Sequence, residues 1–202
     1  MRSGKADLAE AHFQDAMRRG PWDPDSYIYY ARYLVQHARP DQARPLLEQA
    51  LKLSPANLTA RELLEEVHPT AESEAITGDR LLRQGNVREA MTHYENALAL
   101  KPDLVTSLNN FAWVLSTAPE PSLRNGPRAI EMAEKAVELS GGNDPVHLRT
   151  LAAAYAESGG FAEAIRTAER ARQLAVDQQN LMLTKNLSKD LYFYQQNHPL
   201  HR

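Results

Sequence analysis

Seven histidines, His12, His37, His68, His93, His147, His198 and His201, are the side chains of this sequence best suited to bind a metal or pass a proton near neutral pH. Coordination needs several of them at close, regular spacing, as in HExxH, but here they are scattered one per segment. His198 and His201 come nearest to a pair, and they fall on a C-terminal tail that reads as frayed, a place for weak metal binding at most. No GxSxG elbow supplies a nucleophilic serine, no glycine loop cradles a phosphate, and no basic stripe with interleaved aromatics suits single-stranded nucleic acid. Glu65 and Glu66 are adjacent on a predicted helix and point in different directions, so they do not make an acid and base pair. There is no cysteine, which excludes disulfides and thiolate metal sites and fits a reducing or an oxidising compartment alike. The reading is therefore no catalytic residue, no cofactor site and no metal site; the chemistry left to this chain is recognition.

The elements that would position recognition residues are set by alanines. Ala90, Tyr94 and Ala97 followed by Pro102 recur upstream as Ala43, Leu47, Ala50 and Pro55, and as Ala9, Phe13, Ala16 and Pro21. Downstream come Ala129, Ala133 and Ala136, then Ala164, Ala168 and Ala171. Spacing i, i+4, i+7 puts each triplet on one helical face, and alanine there means that a neighbouring helix passes too close for anything larger. Each triplet after the first has a small residue upstream for the partner helix, Ala31, Gly78, Ala112 and Ala152. Ala9 and Ala43 stand 34 residues apart, and the later steps of 47, 39 and 35 mark insertions.

That pattern and period resemble the tetratricopeptide repeat family. The resemblance implies an all-α fold, a right-handed α-solenoid of antiparallel helix pairs forming a superhelix with a C-terminal capping helix. The chain reads as one elongated domain, 1–202, since each unit of a solenoid packs mainly on its neighbours. Within it, residues 4–21 form a second helix whose first is missing, 24–55 a full unit, 56–70 an extra helix or connector, and 71–102 the second unit. Residues 104–141 form the third unit with a long inter-helix loop, 144–175 the fourth, 177–196 the capping helix and 197–202 a tail. Glu74 and Thr77 stand where apolar residues are usual, which predicts looser packing of the helix around Gly78. The loop Ala118 to Pro127 is read either as a stiff connector, favoured by Pro119, Pro121 and Pro127, or as a functional loop presenting Arg124 and Asn125. The acidic run Glu62, Glu65, Glu66, Glu72 and Glu74 reads as a solvated face. On the last helix Leu183, Leu187, Leu191 and Tyr194 make the apolar stripe, with Lys185, Lys189 and Asp190 outside.

In this family the first helices line a concave groove that holds an extended peptide or a helix. Carried over by position, the resemblance assigns to that groove Tyr29, Arg32 and Gln36, then Asp79 and Arg83, then Asn109, Trp113 and Ser116, then Arg149. Each of these could instead be a packing or solvated residue, Trp113 above all. The family's two-carboxylate clamp is not implied: Asn110 matches one asparagine position, but Ala75 and Asp79 replace a lysine and an asparagine, and Arg149 is one residue out of register. The expected partner is a protein or peptide rather than nucleic acid, given the net charge of −3. No run approaches the roughly 18 apolar residues of a membrane span, and Met1 to Gly20 lacks the apolar middle of a signal peptide. No direct membrane insertion by this segment is expected, and its place is the cytoplasm or the soluble part of a membrane protein.

LNNFAWVLST, PEPSLRNG and LRTLAAAYAESGGFAEAIRTAERA are similar to a bacterial variety of these repeats, often found at the C-terminal end of larger proteins. Three roles follow as expectations: a non-catalytic interaction scaffold, an accessory C-terminal region of a larger membrane, glycosyltransferase-like enzyme, or an end-to-end self-assembly module. The orphan second helix predicts either a longer native polypeptide or self-association through the open N-terminal repeat.

Overall fold

The computed structural model describes residues 3–201. Their regular structure is helical throughout: α1 Ser3–Arg19, α2 Pro24–Gln36, α3 Pro40–Leu53, α4 Leu58–Val67, α5 Ala71–Arg83, α6 Val87–Leu100, α7 Val105–Thr117, α8 Gly126–Leu139, α9 Pro145–Glu157, α10 Phe161–Asp177 and α11 Leu181–Gln195. Where the alanine pattern suggests one array, the packing falls into two compact units, Met1–Thr70 and Ala71–Arg202. The boundary lies where the predicted connector ends.

In the first unit α2 and α3 form a helical hairpin. Asp23 caps α2 by accepting from the Asp25 and Ser26 amides at 3.1 and 3.3 Å, and the Ser26 hydroxyl donates to it at 2.7 Å. Those bonds, the Ser26 hydroxyl first, hold its carboxyl below the usual range. Ile28, Ala31 and Leu34 of α2 meet Ala43, Leu47 and Ala50 of α3, and α4 closes the cluster with Ala60. Before α2 lies α1, whose Phe13 ring stacks on Tyr30 at 5.4 Å and tilts against Tyr33 at 5.3 Å. Glu10 accepts from the Tyr30 hydroxyl and pairs with Arg39. Ala16, the equivalent of crossing alanines with no exposure elsewhere, remains exposed. Of the acidic run, Glu62, Glu65 and Glu66 are solvated as expected.

The second unit pairs α5 with α6, α7 with α8, and α9 with α10, and α11 packs on α10. The crossing alanines Ala90, Ala97, Ala129, Ala133, Ala136, Ala164, Ala168 and Ala171 all have 0% exposure. The helix around Gly78 is not loosely packed: a Cβ there would lie 2.7 Å from Tyr94 Cε1. Glycine lets the fully buried Tyr94 ring seat directly on the α5 backbone. Nor is Glu74 a solvated member of the acidic run. It is buried and accepts from His93 at 2.6 Å and Asn96 at 3.3 Å, so the polar group in the apolar place is matched by polar groups on α6. Gly85 makes the α5–α6 turn at a φ of 83°, in the left-handed region that glycine enters without strain.

The loop between α7 and α8 is a packing element. Arg124 donates to Glu157 at 2.9 Å and to the Ala118 and Pro119 carbonyls, Leu123 is buried, and Asn125 caps α8 through the Arg128 amide at 3.1 Å. These contacts favour the stiff-connector reading: Arg124 is engaged by Glu157 and two carbonyls, and Asn125, though exposed, is engaged as the cap of α8. At the far end α10 runs to Asp177 and the cap starts at Leu181, not at residue 177. Asp190 is not outside but fully enclosed, and Leu200 is buried while His201 meets Glu157 at 2.9 Å, so the tail is anchored rather than frayed.

Candidate partner-binding site

The residues assigned to partner binding fall on the first helices, and each unit is described by itself. On α2, the buried face of Ile28, Ala31 and Leu34 leaves Tyr29, Arg32 and Gln36 on the exposed side, with Tyr29 58% exposed. Their spacing of three and four residues keeps them on one strip.

In the second unit, side-chain contacts run from one first helix to the next. Asp79 on α5 accepts from Asn110 Nδ2 on α7 at 2.7 Å and from the Tyr94 hydroxyl at 2.6 Å. Asn109 donates to Asn110 at 2.9 Å. The guanidinium of Arg149 on α9 lies over the Trp113 ring on α7, 4.7 Å from its centroid, and its Nε donates to Asp190 on α11 at 2.6 Å. The structure thus brings together Asp79, Asn109, Trp113 and Arg149 in a row across α5, α7, α9 and α11. Arg83 is exposed at the solvent end of α5. Asn109 is buried, while Trp113, Asp79, Asn110 and Arg149 are half-buried.

Ser116 does not belong to an open surface. It is fully enclosed and its hydroxyl donates to the Ala112 carbonyl at 2.7 Å, because a residue four places after the crossing alanine turns back into the hairpin. Tyr94, Asn110 and Asp190 complete the row, and none was assigned to it by position. For Asp190 the signal was its spacing, three after Leu187 and four before Tyr194, which places it on the apolar stripe despite its charge.

Burial, then the bond to Asp79, pushes the Tyr94 phenol well above the ordinary tyrosine value. Burial with the Glu134 bond of 2.8 Å pushes Tyr155 up to about 12. Both shifts favour the protonated form in the folded state. Their contribution to stability is therefore complete below the unfolded value of about 10 and is lost as pH rises through the folded values. An absorbance titration of phenolate should show Tyr94 ionising last, together with unfolding, and Tyr94→Phe should remove that late step. A Tyr94 that ionises with the exposed tyrosines would contradict its burial.

Among the described residues no three His, Cys, Asp or Glu side chains gather as metal ligands. None of the described helices is long and apolar enough to cross a membrane.

Comparison with known proteins agrees with the helical architecture. Residues 1–66 match the family model for the tetratricopeptide repeat. The DnaJ homolog subfamily C member 7 homolog of Schizosaccharomyces pombe is 27% identical over 181 residues, 87% of this chain and 36% of that protein. The chain thus spans about a third of the length of that relative. The structure of YrrB, a protein of these repeats with an unusual peptide-binding site, superposes with a TM-score of 0.52 at 16% identity, covering 88% of this chain and 97% of YrrB. The TPR2AB domain of yeast Sti1 in its complex with pHSP90 gives 0.53 at 16% identity over 96% and 80% of the two chains. At such identities these likenesses speak for the fold. Residues 1–66 thus match the tetratricopeptide repeat family, and the chain as a whole has the helical fold of tetratricopeptide repeat solenoids.

Proposed function

We propose that the chain is a non-catalytic protein-interaction scaffold that holds a peptide or a helix of a partner against its first helices. The observation that carries the reading is the row across α5, α7, α9 and α11, where amide, carboxylate, indole and guanidinium groups of successive helices touch one another. Tryptophan and arginine are frequent hot spots, and their mutual packing presents them already ordered, which lowers the entropic cost of binding. On α2, Tyr29, Arg32 and Gln36 add a second exposed strip without side-chain hydrogen bonds among the described residues. YrrB's peptide-binding site and Sti1's complex with pHSP90 support a polypeptide ligand. A carboxylate clamp is not part of the proposal, because Ala75 is buried and Asp79 brings a negative charge.

The test is selection of peptides from a random display library on the wild-type chain, followed by titration against variants. Trp113→Ala and Arg32→Glu should each weaken the selected peptides at least about tenfold, as expected of hot spots, while circular dichroism stays helical. Peptides that bind both variants like the wild type would remove the first-helix assignment. The exposed Ala16 on α1 favours a second reading, self-association through that helix. It requires a mass in light scattering that grows with concentration.

A further inference from the structure

The chain after α11 turns back sharply. Asn197 takes a φ of 56°, its amide donates to the Tyr194 carbonyl, and the His198 amide donates to Phe193, both at 3.0 Å. Leu200 is buried, and His201 is held by Glu157, which Arg124 grips from the other side. The tail is thereby fixed as a wall. Between it and α11 lies a cavity of about 460 Å³ lined by Lys189, Phe193, His198, Pro199, Leu200 and His201.

The lining divides by chemistry. Phe193, Pro199 and Leu200 are half-buried or buried and give an apolar floor, while Lys189 and His198 are exposed at the rim. Neither rim side chain makes an ion pair or hydrogen bond among the described residues. Among the described residues no carboxylate lines the cavity: Asp190, beside Lys189 in sequence, is turned to Arg149, and Glu157 lies behind His201. A second cavity of about 380 Å³, beside the start of α6, differs in this respect, because its Arg88 is already engaged by Glu120 and Ser122.

An apolar floor of this size beside an ammonium with no counter-charge among the described residues suits a particular class of ligand. An inorganic anion would leave the floor unused, and a neutral hydrocarbon would gain nothing from the cation. We propose that this cavity binds a small organic carboxylate, its aryl or alkyl group on Phe193, Pro199 and Leu200 and its carboxylate on Lys189 and His198. The charge-assisted bond to Lys189 supplies orientation and the floor supplies most of the burial.

The probe is 3-phenylpropionate, titrated by calorimetry against the whole chain, with 3-phenylpropan-1-ol as the equally apolar uncharged control. Saturable binding of the acid is expected, with the alcohol at least about tenfold weaker, as loss of a charge-assisted bond implies. Lys189→Glu should weaken the acid at least about tenfold with an unchanged dichroism spectrum, since the side chain is exposed. Equal affinity for acid and alcohol would overturn the proposal, as would an unaffected Lys189→Glu or no saturation by about 10 mM. A labelled peptide ending in phenylalanine with a free carboxylate that bound more tightly than the acid, through the same Lys189, would overturn the free-acid ligand in favour of a polypeptide terminus.

Discussion

Asp190→Ala should be among the most destabilising single substitutions in this chain, costing about 3–5 kcal/mol, the range for removing one partner of a buried ion pair. Asp190 has no exposure, and its partner Arg149 is held at 2.6 Å with a side chain only 14% exposed. Truncation leaves the guanidinium inside the molecule without its counter-charge. The Trp113 face still attracts it, but such contacts contribute on the order of 2 kcal/mol when desolvated, which is too little to offset the loss. The unfolding should begin at the C-terminal end, because Asp190 sits on α11 between Leu187 and Leu191, which bury against α10. Denaturant unfolding measures the loss, and amide exchange locates it: protection at Leu187 and Leu191 should fall before protection in α6 or α8. Lys185→Ala, on the exposed side of the same helix, should stay within about 0.5 kcal/mol of the wild type. Replacing both partners, Asp190→Leu with Arg149→Met, should recover most of the stability, since an apolar pair of similar volume avoids the desolvation cost. An Asp190→Ala variant within about 1 kcal/mol of the wild type would mean that the Arg149 charge does not depend on this carboxylate.

Gly78→Leu comes next, with an expected cost of about 3 kcal/mol or more from overpacking. The first added carbon already lies 2.7 and 2.9 Å from Cε1 and Cδ1 of Tyr94. That ring cannot step aside cheaply: it is fully buried, its centroid is 6.2 Å from that of Phe111, and its hydroxyl is bound to Asp79. Gly78→Ala separates two effects. Alanine gains up to about 1 kcal/mol of helix propensity over glycine, yet it carries the same clash at Cβ, so a net loss is expected only if the close approach wins. Tyr94→Phe should not relieve either variant, because the clashing atoms belong to the ring, whereas Tyr94→Leu should relieve both in part. Thermal unfolding of these pairs decides it, and a Gly78→Ala chain more stable than the wild type would show that the ring yields.

Much of this architecture is legible in the residues. Alanine at i, i+4 and i+7 is a statement about the distance to a neighbouring helix, and that constraint is local enough to be read one segment at a time. The triplets from Ala43 onward are all fully buried in the structure. So too were the helices, whose start residues Asp23, Asn57 and Asp144 carry side chains that accept the first free amides. What the residues did not disclose were pairings between helices distant in sequence. Asp190 and Arg149 are 41 residues apart, and Glu74 finds His93 across a turn. A charge or an amide in an apolar stripe is costly alone and stable only beside its partner, and a single chain records the residue but not the partner. The same holds for Ser116, which a surface assignment placed in the open and the hairpin encloses, and for the tail, which is polar in sequence yet fixed by Leu200 and by His201 on Glu157. Periodicity determined the helices, their crossings and the all-helical repeat fold; only the tertiary structure decided which polar side chains are inside, because burial of a polar group is settled by what another helix brings to meet it.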